Sequence, residues 1–329
     1  MSVTDKPLHV AAVQMASRPG AVSKNLGSAA VAVAKAVDAG AALVLLPELM
    51  ATGYRIAPDI WETAEPIGGR ITTWLLDTAM RYRIHLGTTL LEANGADFYN
   101  TFLLATPEGK IAGTFRKTDP AWIEARYYRG HAGPHVIETS IGRIGVGICY
   151  ENYLGKHVRA RAASSIDLLL QPTAAATPPV DWPIGQRGAD AFDTMLKTLA
   201  QRRALMLGVP VIMSNLCGTL VSPLPGRLGS LRTTFPGASS IVDGSGKIVA
   251  MLASEEGTID ATVLLGRRSA EALALPQGQW SVPMPWYAPV WPVAQDLSAR
   301  RYERDPARKA AASRRSGLQY RLGKRHIQA

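Results

Sequence analysis

The sequence contains little cysteine and no long hydrophobic run. Its 329 residues include 2 cysteines, Cys149 and Cys217, which cannot form a disulfide framework. Such sparse use is typical of a reducing compartment, where a single cysteine can serve as a nucleophile. The longest apolar stretch, residues 41–50, is broken by Pro47 and Glu48 and is far shorter than the ~20 apolar residues that span a bilayer. Because the N-terminus also lacks an apolar signal-peptide core, we predict a cytoplasmic protein with no membrane partner.

The sequence also lacks several common catalytic motifs. Its 6 histidines are scattered and form no His-Glu-x-x-His motif, so we predict no metal site. It has no Gly-x-Ser-x-Gly motif of a serine hydrolase. Residues 244–247 are rich in glycine but lack the first glycine and the final Ser or Thr of a phosphate-binding P-loop. A zinc hydrolase, a serine hydrolase and a nucleotide-binding enzyme are therefore disfavoured.

Most of the net positive charge lies at the C-terminus. The formal net charge is +10 at pH 7, and residues 300–329 contribute +8 of it, with ten Arg or Lys against Glu303 and Asp305. Because the rest of the chain is nearly neutral, its charge does not predict a nucleic-acid-binding surface. We predict a catalytic domain over residues 1–295 and a basic tail over residues 296–329. A solvated or partner-covering tail is favoured over an arm that binds nucleic acid.

The hydrophobic pattern predicts an alternation of strands and helices. Residues 8–15 and 42–46 are short apolar runs typical of buried strands, and residues 25–37 between them have helical spacing. This β-α-β order predicts two parallel strands joined by a helix. A similar order returns in the second half, where residues 190–207 have helical spacing. Residues 276–292, rich in Pro and Trp, predict an extended surface segment.

Three reactive side chains each follow a predicted strand, and the carboxyl ends of strands are where sites form in α/β sheets. Glu48 directly after a buried strand is partly desolvated, which raises the pKa of a carboxyl and suits a general base. Lys117 can stabilise a developing oxyanion. Cys149 stands before a predicted helix, whose N-terminus favours a thiolate. Taken singly, each residue also fits a structural role, and Cys217, without such partners nearby, is interpreted as structural.

Taken together, the three segments resemble a known catalytic pattern. Glu48, Lys117 and Cys149, in this order and with their flanking residues, are similar to the Glu-Lys-Cys triad of the nitrilase superfamily of carbon–nitrogen hydrolases. The resemblance extends from about residue 8 to residue 264 and includes residues 167–173, similar to the family's strand after the cysteine. It implies a four-layer α-β-β-α sandwich within the α/β class. It also implies no metal, no organic cofactor, and a homodimer or larger homo-oligomer with the basic tail at an interface.

The resemblance also implies further site residues. Glu124 matches, by its spacing after Lys117, a second glutamate of the family that would position the lysine or assist proton transfer. Core packing is the alternative role for each aromatic residue near the site. The predicted substrate-binding residues are Tyr54, Trp122, Tyr150, Glu151 and Thr173.

The groups themselves suggest a reaction with a small-molecule substrate. Glu48 takes the thiol proton of Cys149, and the thiolate attacks an amide or nitrile carbon. Lys117 and the backbone N–H of Tyr150 stabilise the negative charge that forms. Ammonia or an amine departs from an amide, and water hydrolyses the remaining thioester. The predicted enzyme is thus a cofactor-free hydrolase of non-peptide C–N bonds.

The subclass is not decided by the motifs. Residues 47–54 are more similar to amidases and carbamoylases, whereas residues 149–153 are more similar to true nitrilases. We predict a small amide or N-carbamoyl compound as substrate, because amide hydrolysis is the commoner activity of the superfamily. A nitrilase, a soluble N-acyltransferase or amide-forming enzyme, and an inactive scaffold with this fold are the alternatives.

Overall fold

The computed structural model describes residues 6–133, 135–180, 185–223, 229–266, 273–312 and 314–315. The first half contains β1 (Pro7–Gln14), α1 (Val22–Asp38), β2 (Leu43–Leu45), α2 (Arg70–Tyr82), β3 (His85–Asn94), β4 (Asp97–Ala105) and β5 (Ile111–Arg116). The second half contains β6 (Val136–Thr139), β7 (Gly142–Val146), α3 (Gly155–Ala163), β8 (Leu168–Thr173), α4 (Gly185–Leu207), β9 (Val211–Asn215), β10 (Cys217–Pro223), β11 (Ser230–Pro236), β12 (Ser240–Val242), β13 (Ile248–Met251), β14 (Gly257–Leu264) and α5 (Trp291–Arg304). Short 3₁₀ helices cover Pro58–Thr63, Trp122–Arg126, Cys149–Tyr153 and Ala288–Val290.

Twelve of the described strands form two six-stranded sheets that pack face to face, and β10 and β11 form a separate two-stranded hairpin. The first has the order β14-β1-β2-β3-β4-β5, with β1, β2 and β3 parallel. The second has the order β13-β12-β9-β8-β7-β6, with β7, β8 and β9 parallel. Helices α1 and α2 pack on the first sheet, α4 packs on the second, and α3 packs on α4. The four-layer α-β-β-α sandwich implied by the resemblance is therefore confirmed.

Strand β1 shows why the apolar runs of the sequence are continuous. Val10 and Ala12 belong to the core that includes the second sheet, whereas Ala11 and Val13 belong to the core beneath α1 and α2. Side chains alternate between the two faces of a strand. Both faces of β1 are covered, so nearly every position is apolar, as is typical of parallel strands between layers.

Helix α1 is amphipathic, with one apolar face and one polar face. Leu26, Ala29, Val33 and Ala36 recur at intervals of three and four residues and are all buried, so they form one stripe against the first sheet. The helix stops at Gly40, whose φ of +95° favours a residue without a Cβ atom. The chain then enters β2, parallel to β1 as predicted.

Several elements differ from the sequence predictions. The hairpin β10–β11, strand β14 and helix α5 were not predicted, because their solvent-facing positions are polar and interrupt the apolar pattern. The segment over residues 276–292 is not extended throughout, since a 3₁₀ turn and the start of α5 occupy its end.

The described part of the predicted tail packs on its own chain. Tyr302 accepts a hydrogen bond from the backbone N–H of Phe98 (2.9 Å), and Arg308 lies 3.0 Å from Asp97. Arg126 forms an ion pair with Asp305 at 2.7 Å. The predicted division between residues 295 and 296 falls inside α5, and it stays a prediction, as does the tail's place at an oligomer interface. In the described segments, no helix combines the length and apolarity needed to cross a membrane.

Candidate active site

The three predicted catalytic residues meet where the two sheets face each other. Glu48 follows β2, Lys117 directly follows β5, and Cys149 follows β7. The backbone N–H of Glu48 donates to the carbonyl of Thr173 at the end of β8 (3.3 Å), which ties one sheet to the other. The backbone carbonyl of Asn100 on β4 accepts a hydrogen bond from the backbone N–H of Lys117 (2.7 Å). Because the strand ends are fixed in this way, side chains from both halves of the chain converge.

Glu48 is fully buried, and its two carboxylate oxygens differ. Oε1 accepts hydrogen bonds from Nδ2 of Asn100 (2.6 Å) and Nζ of Lys117 (2.7 Å). Oε2 has no hydrogen-bond partner among the described residues. Burial raises the pKa of Glu48 above its ordinary value, although Lys117 opposes the shift. One oxygen is thus held in place, and the other is available to take a proton.

Lys117 lies between two glutamates. Its Nζ donates to Glu48 and, at 2.8 Å, to Oε2 of Glu124. Glu124 also accepts the backbone N–H of Ala121 (2.7 Å) and the hydroxyl of Tyr54 (2.7 Å). Burial alone lowers the pKa of Lys117, but Glu124 and Glu48 outweigh burial and raise it well above its ordinary value. The lysine is therefore a permanent cation at this site.

Cys149 occupies a strained turn at the end of a buried strand. Its φ is +46°, a left-handed conformation that is uncommon outside glycine and typical of functional sites. Asn152 holds the turn by donating to the carbonyls of Gly147 (2.7 Å) and Cys149 (3.1 Å). Cys149 lines a cavity whose other walls come from the segments after β2, β5 and β8, from α4, from the hairpin β10–β11 and from the C-terminal region.

The thiol of Cys149 is not predisposed to ionise. Burial and the charge of Glu48 raise the pKa of Cys149 well above its ordinary value, against smaller lowering effects of Lys117 and the backbone N–H of Ala174. The prediction that a following helix favours the thiolate is wrong. Residues Cys149–Tyr153 form only a 3₁₀ turn, and α3 begins later, at Gly155.

The predicted substrate-binding residues fall into two groups. Tyr54, Trp122 and Tyr150 line the cavity together with Glu124 and Cys149. Thr173 is fully buried outside the lining, and its hydroxyl donates to the carbonyl of Gln171 (3.1 Å). The structure therefore gives Thr173 a place behind the cavity wall rather than on it.

Glu151 also lies away from the cavity. Its Oε1 accepts the backbone N–H of Thr118 (2.7 Å), and its Oε2 accepts that of Ile148 (2.9 Å). Burial alone raises the pKa of Glu151, but His135 first, and Arg161 with it, outweigh burial and hold the pKa well below its usual range. Glu151 thus connects the residue after Lys117 to the residue before Cys149, and it contacts protein where a substrate contact was predicted.

Several lining residues were missed by sequence reasoning. Tyr153 follows Tyr150 in the 3₁₀ turn, and Phe192 comes from α4. Tyr287 and Trp291 come from the C-terminal region, and Leu220 comes from the unpredicted hairpin. None of these lies near a catalytic motif in sequence except Tyr153. Only the tertiary fold brings the others to the cavity.

The second cysteine, Cys217, is buried away from the cavity. Burial raises the pKa of Cys217 to about 12, and it is not among the residues that line the cavity. Across the ranges that the structure describes, no three His, Cys, Asp or Glu side chains are grouped as metal ligands.

Comparison with known proteins identifies relatives of this chain. Residues 9–270 match the model of the carbon-nitrogen hydrolase family. The chain is 26% identical to a probable nitrilase of Schizosaccharomyces pombe, over 78% of this chain and 88% of that protein. It is 27% identical to the N-carbamoylputrescine amidase of Solanum lycopersicum, over 79% of this chain and 86% of that protein. A solved carbon-nitrogen hydrolase from Helicobacter pylori G27 superposes with a TM-score of 0.70 at 22% identity, covering 78% of this chain and 89% of that one.

The chain belongs to the carbon–nitrogen hydrolase family, the nitrilase superfamily that the sequence motifs indicated. It is a hydrolase of carbon–nitrogen bonds other than peptide bonds. Amidase-type hydrolysis is supported at this level, because amidases are among the named relatives. The roles of the individual site residues stay predictions, now with a geometry that can be tested.

Proposed function

We propose that the protein hydrolyses a small amide or N-carbamoyl compound through a thioester on Cys149. The main support is the geometry at Glu48, whose Oε1 is held by two donors while Oε2 is left without a partner in the described residues. Because burial raises the pKa of Glu48, the carboxylate is a stronger base than an exposed glutamate. The name of the tomato relative supports amide-type substrates.

In the first half of the reaction, Cys149 forms the thioester. Glu48 takes the thiol proton as the sulfur attacks the carbonyl carbon, so a free thiolate is not needed in the resting enzyme. The C–S bond forms, and the carbonyl electron pair moves to oxygen. The tetrahedral intermediate then collapses, the C–N bond breaks, and protonated Glu48 gives its proton to the leaving nitrogen. Ammonia or an amine departs.

In the second half, water releases the acid. Glu48, again a carboxylate, takes a proton from water as the water oxygen attacks the thioester carbon. The C–S bond breaks, and the sulfur recovers a proton from Glu48. The carboxylic acid leaves, and both residues return to their starting states. For an N-carbamoyl substrate the released acid is carbamic acid, which breaks down to carbon dioxide and ammonia.

Lys117 stabilises the oxyanion in both halves of the reaction. A lysine ammonium has three donors, and two of them go to Glu48 and Glu124. The third is available to the oxygen of the tetrahedral intermediate, with the backbone N–H of Tyr150 as the second donor in the proposal. Glu124 keeps Nζ in position and charged. Removal of an oxyanion donor typically costs about 2.7–4 kcal/mol of barrier.

Other reactions of the same thioester are distinguishable. A nitrile would add the thiol to give a thioimidate, an activity consistent with the name of the yeast relative. An acyltransferase would pass the acyl group to an amine rather than to water. An inactive scaffold would form no adduct at all.

The test is intact-protein mass spectrometry after acid quench. Wild-type protein is mixed with a panel of primary amides, N-carbamoyl amines and nitriles, and the acid, ammonia and amide products are quantified in parallel. We expect an acyl adduct on wild type and on Cys217→Ala, and none on Cys149→Ala. Cys217→Ala is the matched control, because it removes the other buried thiol.

The products found in this experiment distinguish the proposed amidase from the alternative activities. Free acid with ammonia from an amide supports the proposal, whereas turnover of nitriles alone assigns a nitrilase. Transfer to an added amine in preference to water assigns an acyltransferase. A panel that gives neither adduct nor product, with a general thiol reagent modifying both cysteines equally, would reject the proposed enzyme.

A further inference from the structure

The cavity in front of Cys149 concentrates the aromatic residues of the chain. The sequence has 5 Phe, 7 Trp and 10 Tyr, and seven of these rings line this cavity. Trp291 lies at the centre of the group, with ring centroids 5.7 Å from Tyr150, 6.1 Å from Tyr287 and 6.5 Å from Tyr153. Alanine, proline and leucine side chains supply much of the remaining wall. The walls are therefore apolar surfaces suited to a ring or a branched alkyl group.

The described residues of the lining offer no free charge to a substrate. Among the lining residues within the described ranges, Glu124 is the only charged side chain. Its carboxylate already binds Lys117, Tyr54 and the backbone of Ala121. A substrate with an ammonium or carboxylate at its far end would bury that charge without a partner, which is strongly unfavourable.

Two hydroxyl groups of the cavity have no partner. The hydroxyls of Tyr153 and Tyr287 are buried and form no hydrogen bond with any described residue. Both residues line the cavity, and both side chains are less than a tenth exposed. Unsatisfied buried polar groups are rare in proteins. These two hydroxyls can donate to or accept from an uncharged polar atom of a bound ligand.

The free volume of the cavity is small. It measures about 120 Å³, below the roughly 300–1,000 Å³ of sites for drug-sized ligands. The hairpin β10–β11 closes one side through Leu220 and Leu231, and Phe192 contributes from α4. The space suits one compact group beyond the reacting carbonyl.

We propose, on the basis of the proposed hydrolysis, that the substrate is a neutral amide whose acyl group ends in an aromatic ring or a compact branched alkyl group. The site discriminates against acyl groups of equal length that end in a charge. The tyrosine hydroxyls accommodate an uncharged polar substituent. N-Carbamoylputrescine, which carries an ammonium group at neutral pH, is therefore expected to be a poor ligand here.

Binding to Cys149→Ala tests the selectivity without turnover. Isothermal titration compares 4-phenylbutanamide and hexanamide with 6-aminohexanamide and the monoamide of adipic acid, which match hexanamide in length. We expect the neutral amides to bind about 100-fold more tightly than either charged analogue, since a buried unpaired charge is strongly disfavoured. Equal affinities, or tighter binding of a charged analogue, would overturn the proposal.

A pair of variants on β10 assigns the effect to the cavity wall. Leu220 lines the cavity, whereas its neighbour Val221 points to solvent and is 38% exposed. Leu220→Lys is expected to weaken hexanamide and to strengthen the adipic monoamide at least about 10-fold, because it supplies a counter-charge. Val221→Lys is the matched control and should leave both affinities unchanged. If both variants shift the affinities alike, the selectivity does not come from this wall and the inference fails.

A small reference compound separates this inference from the proposed reaction. Acetamide needs none of the cavity beyond the reacting carbon, so its acetyl thioester adduct on Cys149 and its release of ammonia report the chemistry alone. An adduct without any preference between neutral and charged amides rejects the substrate class and leaves the hydrolysis standing. Clear neutral selectivity in binding without any adduct rejects the hydrolysis and leaves a neutral-ligand site.

Discussion

Glu48 and Glu151 are both completely buried near Cys149, yet the two environments push their pKa values in opposite directions. Glu48 has one cation beside it, Lys117, and a carboxylate oxygen with no hydrogen-bond partner in the described parts of the chain. Glu151 has His135 and Arg161 beside it and accepts two backbone N–H groups. The pKa of Glu48 is raised, and that of Glu151 is lowered. Burial alone therefore does not identify a catalytic carboxylate, because the number of partners decides whether it exchanges a proton or remains an anion.

The strongest test of this contrast is the charge-neutral variant Glu48→Gln. It keeps the shape of the side chain but removes the base, so we expect kcat to fall about 10²- to 10⁴-fold. Steady-state ammonia release measures the loss, and circular dichroism checks that the fold is kept. Wild-type kcat in this variant would show that another group accepts the proton.

The second test is Glu151→Gln, which should act mainly on stability. It leaves Arg161 without its buried counter-charge, and breaking a buried pair typically costs about 3–5 kcal/mol. Urea unfolding gives the free energy, with Glu138→Gln, a neighbouring exposed glutamate, as control. A variant as stable as wild type would mean that the lowered pKa of Glu151 has no structural consequence.

The contribution of Glu151 to stability has a defined pH dependence. Its pKa is lowered by folding, so the contribution is fully present above the unfolded pKa of about 4.3 and is lost as the pH falls towards the lowered value. The stability gap between wild type and Glu151→Gln should therefore narrow from pH 6 to about pH 3. Unfolding curves at several pH values measure it, and a gap that widens on acidification contradicts the assignment.

A smaller effect is expected from Asn100→Ala. The amide donates to Oε1 of Glu48 at 2.6 Å, and hydrogen bonds to charged groups contribute about 1.5–3 kcal/mol. Loss of this donor should raise the pKa of Glu48 further and move the acid limb of the kcat/KM profile to higher pH. An unchanged acid limb, with a purely lower rate, would assign Asn100 to packing alone.

The smallest effect is expected from Tyr54→Phe. Its hydroxyl donates to Glu124, not to Glu48, so the base keeps its own partners. A net hydrogen bond of about 0.5–1.5 kcal/mol corresponds to a loss of about 2- to 10-fold in kcat/KM. The acid limb of the profile should not move, in contrast to Asn100→Ala. A shift equal to that of Asn100→Ala would mean that Glu124 and Glu48 titrate as one unit.

The sequence was sufficient to predict the fold and to single out Glu48, Lys117 and Cys149, whose catalytic roles stay predictions. Glu48 and Cys149 follow the buried strands β2 and β7 within a few residues, and Lys117 directly follows the more exposed β5, so each signal is local in the chain. Glu124 followed from its spacing to Lys117 and lies 2.8 Å from it. These features depend on neighbours in sequence, which is why motif and periodicity could find them.

The remainder depends on contacts between distant segments. Glu151 looked like a substrate-binding residue beside Cys149, but the fold brings His135, Arg161 and Thr118 around it. Asn100 lies within β4, and its contact with Glu48 exists only in the folded chain. The aromatic wall joins the middle of the chain to its C-terminal region. No local sequence pattern could have predicted these contacts between distant segments.

The position of Trp291 in the chain has a consequence for biosynthesis. Glu48, Lys117 and Cys149 leave the ribosome long before α5, which carries the central ring of the cavity wall. When Cys149 has been made, β8, α4 and β9 of the second half have still to follow. The cavity wall is therefore complete only after Trp291, at the start of α5, has been made and packs against Tyr150 and Tyr153.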